Sequence, residues 1–436
     1  VDVIFMSNSG ESLPIVWRLR REGVDAGIYI HHPQYRHNYD GILPKLSVKD
    51  LKKQLKKTDL VIFDITRPNE RNKQDVILLK TFGLKSTLPS VFGPVADTLR
   101  KDHKVIGVST LTEELELDRH KGIDLAKKVG FAIPEHHEFS NLKDGAKFLK
   151  DRNDLWVFKP ENNQDLDLTY VEKFPNEILT KMLDEWLHRI SDKCEYVLQK
   201  KIEGVEVSSE VWIGEQGPVH FNHTLESKRL MAGNLGPAIG SQSNTIWMGK
   251  DSGLLIEPLK KMAAYLKSKG YIGPCDANCI VKGSTPYFLE WTPRFGYDAL
   301  YCLLTLIKGK LSDFFLKDFK ADFNNGYACS QRISIPPYPY ANPRLRHDFA
   351  KDVSIMNRLE RTPFFWAQDI YSDAGKLKCA GADGILGVVS AHDENLEAAW
   401  GKVSGAIDKL KICSYLQYRP DAFKEHAKRI KELKVA

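Results

Sequence analysis

Short apolar runs alternate with amphipathic helical stretches through the first hundred residues. VDVIFM at the start, VDAGIYI from Val24 and DLVIFDI from Asp59 read as strands. ESLPIVWRLRREG and a lysine-rich stretch from Leu46 to Lys57 read as helices between them. This rhythm predicts a parallel α/β sheet over residues 1 to about 103. Asn8, Ser9 and Gly10 fall in the turn after the first strand, where the N-terminus of a following helix can hold an anion, although a lone glycine there is more often just turn chemistry. In the lysine-rich helix, Lys45, Lys49, Lys52, Lys53, Lys56 and Lys57 stand opposite Leu46, Leu51 and Leu55. That is a solvated helix face rather than a nucleic-acid patch.

Further along, the spacing of Ile123, Ala126 and Val129 predicts a helix from Leu115 to Val129 that Gly130 stops. LWVFKP reads as a buried strand ending in Lys159. YVLQKKIEGVEVSSEVWI reads as two strands around Glu203-Gly204. In the second of them Val205, Val207, Val211 and Ile213 face one way, and Glu206, Ser208 and Glu210 the other. Such a carboxylate-lined face suits a site and suits a solvated outer face equally. Residues 327–436 hold the proline-rich SIPPYPYANP, apolar strands such as GILGVVS and two helical patterns, the signature of a C-terminal α+β domain.

Composition narrows the class. With 436 residues, 42% of them hydrophobic, the chain has ample material for a core. A net charge of +6 over this length demands no nucleic acid. The longest apolar run, Ala299 to Ile307, is half of what a membrane span needs. The expectation is a soluble, cytoplasmic protein, since the N-terminus opens on a strand without a basic region and apolar signal core. Seven scattered cysteines suit a reducing compartment. Cys275 and Cys279 lack a second pair at ligand spacing, so no zinc site is expected.

The most informative stretch is DANCIVKGSTPYFLEWTPRFG. Two apolar strands flank a turn at Lys282 to Pro286. Centring the hairpin on Ser284 sets Asn278 opposite Glu290 and Asp276 opposite Thr292, with Cys279, Val281, Tyr287, Leu289 and Trp291 on the buried face. The first four form a patch of oxygen ligands of the kind Mg²⁺ takes when phosphates complete its octahedron. Arg294 follows at the strand end, where a guanidinium can meet the charge of a transferring phosphoryl group. An ordinary hairpin with a polar outer face and an exposed arginine has the same pattern.

FLEWTPRFG resembles the strand-end motif of the ATP-grasp ligases, and nearly the whole chain resembles their phosphoribosylamine–glycine ligase branch. SNSGES is similar to that family's first glycine-rich turn, SVFGP to its inter-domain strand and LDRHKGIDLAKKVGFAIP to its ATP-grasp helix. VLQKKIEGVEVS is similar to its adenine hinge and ribose strand, ESKRLMAGNLGPAIGS to its substrate loop, and GADGILGVVSAHDENLEAAWGKV to its final domain. The resemblance implies an α/β and α+β multidomain ATP-grasp fold. Residues 1–103 would be the Rossmann-like pre-ATP-grasp domain, 104–326 the ATP-grasp domain with a small lid at about 124–192, and 327–436 the C-terminal α+β domain.

It also implies roles. Lys121 and Lys159 would hold ATP phosphates, with Gln199, Lys200 and Ile202 at adenine and Glu206 at ribose or a bound amine. Glu290 and Asn278 would hold Mg²⁺, with Thr292 where the family has Asn, and Arg294 would be the catalytic arginine. Asn8, Gly10, Lys228, Arg229, Gly236 and Pro237 would bind substrates. The departures from the family are local. PENNQDLDLTY replaces the glycine-rich flap, where Asn162, Asn163 and Gln164 are substitute donors. Glu11, Ser12 and Leu13 replace a basic-acidic-His run, ITRPNERN replaces a Gly-Pro-Glu turn, and Tyr297 replaces an acid.

The implied activity is ATP- and Mg²⁺-dependent ligation of glycine or another small amino acid to phosphoribosylamine or a different amine, through an acyl phosphate, by a monomer or dimer. A catalytically silent relative that binds nucleotide or a partner is the competing class. A nucleic-acid module using the lysine-rich helices is a third, without aromatic interleaving for base stacking. His31, His32 and His37 read as loop residues outside the site.

Overall fold

The computed structural model describes residues 2–160, 169–187, 194–340 and 349–433. The N-terminal rhythm becomes a parallel sheet of β1 (Val3–Ser7), β2 (Ala26–Ile30), β3 (Leu60–Phe63) and β4 (Lys104–Ile106), in the order β2-β1-β3-β4. Apart from Lys104 every residue in these strands is buried, because helices cover both faces. They include α1 (Leu13–Arg21), α2 (Val48–Leu55), α3 (Lys73–Thr81) and α4 (Phe92–Leu99). In α2, Leu51 and Leu55 are buried and the lysines point outward.

Two sequence expectations change here. SVFGP is not a strand: Val91 caps α4 and Phe92 to Pro94 form its first turn, where the N–H that proline lacks would have no intrahelical partner. The helix expected from Leu115 to Val129 is two, α5 (Thr110–Leu117) and α6 (Arg119–Val129). Asp118 breaks it in extended conformation and caps the second with its carboxylate on the Lys121 N–H, 3.1 Å away. Gly130 ends α6 at φ 110°, as its position predicts.

An antiparallel sheet follows, formed by β5 (His136–Phe139), β6 (Trp156–Pro160), β7 (Tyr170–Val171) and β8 (Tyr196–Lys200) in the order β5-β8-β6-β7. Trp156, Phe158, Tyr196 and Leu198 form its core with α7 (Leu142–Leu149). The third sheet comprises β9 (Val205–Gly214), β10 (Gly217–Met231), β11 (Leu235–Met248), β12 (Gly273–Lys282) and β13 (Thr285–Thr292), in the order β13-β12-β9-β10-β11. It continues through Tyr327–Ser334, Ile385–Asp393 and Phe365–Ala367. The C-terminal residues thus extend the central sheet, and one apolar core joins Phe5 and Ile15 to Trp366 and Val388.

The β12–β13 hairpin pairs Asn278 with Glu290 and Asp276 with Thr292, as the sequence predicts. The route differs. The turn is Gly283-Ser284, with Lys282 opposite Thr285 and Gly283 at φ 58°, which glycine adopts without strain. A bulge between Asn278 and Cys279 then restores the register. Cys279 therefore faces Phe288 rather than Leu289; Phe288 is buried, while Tyr287 and Leu289 are only half-buried. All seven cysteines are free, six of them buried. No helix among the described residues is long and apolar enough to cross a membrane.

Candidate functional site

Strand register assembles one polar floor. β12 sets Asp276 opposite Glu210 and Asn278 opposite Ser208; β10 sets Thr224 opposite Ser208. Adding Glu290 and Thr292 from β13, and Glu226 and Lys228 from β10, puts one face of four strands along a cleft of about 750 Å³. The opposite face of the same strands carries Val207, Val211, Ala277 and Cys279 into the core.

Charges on this floor are coupled. Glu206 Oε1 accepts from Lys228 Nζ at 2.6 Å and from Asn278 Nδ2 at 3.0 Å. Burial alone would raise the Glu206 carboxyl, but the charge and hydrogen bond of Lys228, with Asn278, outweigh it and hold it at about 2. Glu290 is lowered in the same way by Lys228 and Lys159 against its burial. Burial, followed by Glu210, drives Asp276 well above the ordinary carboxyl value, and burial pushes Glu210 up to about 7. The floor therefore holds more acid than its cations can ionise.

A divalent cation fits here. Asn278 is 4% exposed and its Oδ1 has no partner, while its Nδ2 lies 3.5 Å from Glu290 Oε1. Rotating the amide would turn that oxygen toward Glu290. Among the described residues no three His, Cys, Asp or Glu side chains converge as a metal cage. Glu290 and Asn278 are thus the protein ligands on offer, with phosphate and water for the rest, which is how Mg²⁺ is commonly held. Thr292 lines the cleft opposite Asp276.

Cations close the site unevenly. The Lys159 ammonium, on β6, has no hydrogen-bond or ion-pair partner among the described residues. Burial, with the nearby charge of Arg119, lowers it to about 8 against the pull of Glu290 and Glu206. Lys121 is exposed, paired with Glu114 at 2.9 Å and Asp118 at 3.7 Å, and does not line the cleft. Arg119, two residues earlier in α6, is the cation beside β6, donating to the Pro160 carbonyl at 3.3 Å. The sequence reading missed it because the break at Asp118, which puts Arg119 at the helix start, was not visible. Arg294 lines the cleft with Nε 2.9 Å from Glu116 Oε1 and its guanidinium 4.7 Å from the Tyr297 ring centre. Burial works against its charge, but Glu116 outweighs it and raises the guanidinium further.

Other expected positions separate. Gln199 is buried in β8; the Lys200 and Lys201 N–H groups donate to Glu135 and Leu155 carbonyls at 2.7 and 2.8 Å. Between Lys200 and Ile202, Ile202 alone keeps an N–H without a backbone partner among the described residues. Lys200 Nζ pairs with Asp154 at 3.1 Å. The substrate-loop stretch is the β10–β11 hairpin. Lys228 and Ala238 to Ser241 line the cleft, whereas Arg229, donating to the Gly236 carbonyl at 2.6 Å, and Gly236 and Pro237 lie outside its lining. Asn162, Asn163 and Gln164 lie outside the described residues.

In the N-terminal turn Gly10 lines the cleft, but Asn8 does not, and the Asn8 Oδ1 is buried without a partner. His31 is fully buried, 2.8 Å from Asp75 and 3.2 Å from the Tyr29 hydroxyl, while His37 is exposed against Asp40. Asp64, below the turn, accepts from Ser12 Oγ at 2.8 Å; burial, and next the charge of Glu11, push it up to about 8. The folded chain binds this proton more tightly than the unfolded one, so Asp64 lowers stability as pH rises from the ordinary carboxyl range toward 8. Asp64→Asn is expected to be stabilising by more than about 1 kcal/mol near pH 8 and nearly neutral near pH 4, measured by urea unfolding at both.

No protein-family model matches the chain, and neither does any curated protein. Solved structures do. Phosphoribosylamine–glycine ligase from Thermotoga maritima superposes with a TM-score of 0.69 at 16% identity, over 96% of this chain and 99% of that one. Biotin carboxylase from Campylobacter jejuni gives 0.61 at 13%, over 99% and 96%. N5-carboxyaminoimidazole ribonucleotide synthetase from Thermus thermophilus gives 0.54 at 12%, over 93% and 98%. With its parallel N-terminal sheet, its four-stranded antiparallel sheet and its acid-floored central sheet, the chain has the ATP-grasp fold, in an arrangement shared with phosphoribosylamine–glycine ligase.

Proposed function

We propose that the protein is an ATP-dependent ligase that joins a small amino acid to an amine through an acyl phosphate. The observation that carries this reading is the convergence of Glu290, Asn278, Lys228 and Arg294 on one cleft, with Lys159 beside the two acids Glu290 and Glu206. In this reading Lys159 and Arg119 would hold ATP phosphates, and Ile202 would offer a backbone N–H to adenine. Mg²⁺ on Glu290 and Asn278 would supply neutralisation of the phosphate charge.

In the first half-reaction a carboxylate oxygen of the amino acid bonds to the γ-phosphorus and ADP leaves. In the second the amine nitrogen bonds to the carbonyl carbon, phosphate leaves with the former carboxylate oxygen, and the amine proton passes to solvent. Arg294 supplies fixed positive charge to the acyl phosphate and its tetrahedral successor. Lys228 and the Ala238–Ser241 backbone are the groups offered to the amino acid. A cytoplasmic location accords with seven free cysteines.

Thr292 in place of a second metal-binding side chain favours the silent-relative reading as the alternative. The purified protein, given ATP, Mg²⁺ and a panel of amino acids and amines, is expected to release ADP and phosphate together only with a matched pair. Nucleotide-dependent thermal protection without any release would support the silent relative. Neither release nor protection would sink both.

A further inference from the structure

Resting on the ligase reading, we propose that the substrate held against the N-terminal domain is a polycationic amine, carrying a second ammonium or guanidinium group and no phosphate. In the turn between β1 and α1, where an anion would sit, both serine hydroxyls and the Ser9 N–H are already spent on a resident carboxylate. Glu11 accepts from Ser9 Oγ at 2.7 Å, from the Ser9 N–H at 3.2 Å and from Ser7 Oγ at 3.2 Å. The Gly10 N–H goes to Ser7 Oγ at 2.8 Å. A phosphate entering here would meet Glu11 rather than free amides, with Asp64 just beneath. Glu11 itself lines the cleft and keeps acceptor capacity beyond these three bonds.

Among the described residues the cleft lining offers no unpaired cation to a phosphate. Eight of those residues carry carboxylates against three cations, Lys228, Arg294 and Arg332. Each of the three is already paired, with Glu206 at 2.6 Å, Glu116 at 2.9 Å and Asp298 at 2.6 Å, and in the ligase reading Lys228 and Arg294 are committed to the amino acid and its acyl phosphate, which leaves neither for a second phosphate. The nearby Arg36 is turned away, donating to the His31 carbonyl at 2.9 Å and Gln74 at 2.9 Å.

A second, independent observation states what is missing. Asn38, from the N-terminal domain, lines the cleft at 3% exposure, and its Oδ1 has no partner. Among the described residues the other buried, unpartnered side-chain atoms lining the cleft are Asp276 Oδ1, on a carboxyl whose proton burial favours, and Asn278 Oδ1, on a residue offered to Mg²⁺, which leaves Asn38 Oδ1 as the acceptor for the substrate. An empty acceptor costs free energy until a donor meets it. Ammonium and guanidinium groups are donors only, with three and five N–H bonds. Tyr35 and Tyr340 also line the cleft, and aromatic ring faces attract cations. One cationic group held by Glu11 and Asn38 leaves the other nitrogen of the molecule, once deprotonated, to attack the acyl phosphate.

The test is calorimetry on the unaltered protein with Mg²⁺ and a non-hydrolysable ATP analogue, titrated with diaminobutane, agmatine, ribose 5-phosphate and inorganic phosphate. At least one of the two dications is expected to bind, and neither phosphate compound. Glu11→Gln, which keeps an oxygen for the serines, is expected to weaken the dication about 10-fold or more while leaving analogue affinity unchanged. Tighter binding of ribose 5-phosphate or phosphate, no binding of either dication, or an unchanged dication affinity in Glu11→Gln would overturn the proposal. Failure of the analogue itself to bind would instead count against the ligase reading.

Discussion

Arg294→Ala is expected to lower kcat by on the order of 10²- to 10³-fold while leaving the affinity for ATP little changed. The guanidinium is held before substrate arrives: Glu116 grips Nε at 2.9 Å, the Phe295 carbonyl accepts from Nη1 at 3.2 Å, and the Tyr297 ring lies beneath it at 4.7 Å. A donor fixed in this way pays no reorganisation when charge develops, and its loss falls on the transition state rather than on ground-state binding. Steady-state kinetics on the variant with a matched substrate pair check this. A loss confined to KM would make Arg294 a binding residue only. Glu116→Gln is expected to show a smaller loss in the same direction, since it acts by positioning Arg294.

The largest stability effect is expected on the other side of the cleft. Arg332 and Asp298 are 8% and 3% exposed, joined at 2.6 Å from Nε, with Nη1 donating to the Tyr338 hydroxyl at 2.8 Å. Arg332→Met leaves the Asp298 carboxylate buried without its counter-charge, at a cost of about 3–5 kcal/mol. Adding Asp298→Leu is expected to recover most of that loss, because the desolvation penalty then goes with both charges. Urea unfolding of the two single variants and the double variant reads the cycle. A double variant as unstable as the sum of the singles would mean that the two residues act independently.

What could be read from the sequence was set by local periodicity. Period-two alternation in β9 separated Glu206, Ser208 and Glu210 from the valines, and the same rule paired Asn278 with Glu290. The pairing held although the turn is centred half a residue earlier than expected, because a bulge restores the register, and composition does not announce a bulge. Contacts between distant segments were not legible. Glu116 meets Arg294 across 178 residues, and nothing in LTEELELD says which of its acids turns inward. Lys121 looked apt as a helical lysine, yet the helix begins at Arg119, and two residues of a helix point about 200° apart. The N-terminal turn was open to two readings, an anion site or plain turn chemistry around one glycine, and the side chain of Glu11 folds back into it.

If phosphorylation activates a carboxylate in this cleft, an amino acid carrying isotopically heavy oxygen in its carboxylate, supplied with ATP, Mg²⁺ and the amine, passes that oxygen to the released phosphate, which mass spectrometry weighs. Transfer of one heavy oxygen into phosphate for each amide formed is the expected result. Amide formation with unlabelled phosphate, or with AMP and pyrophosphate as products, would contradict it.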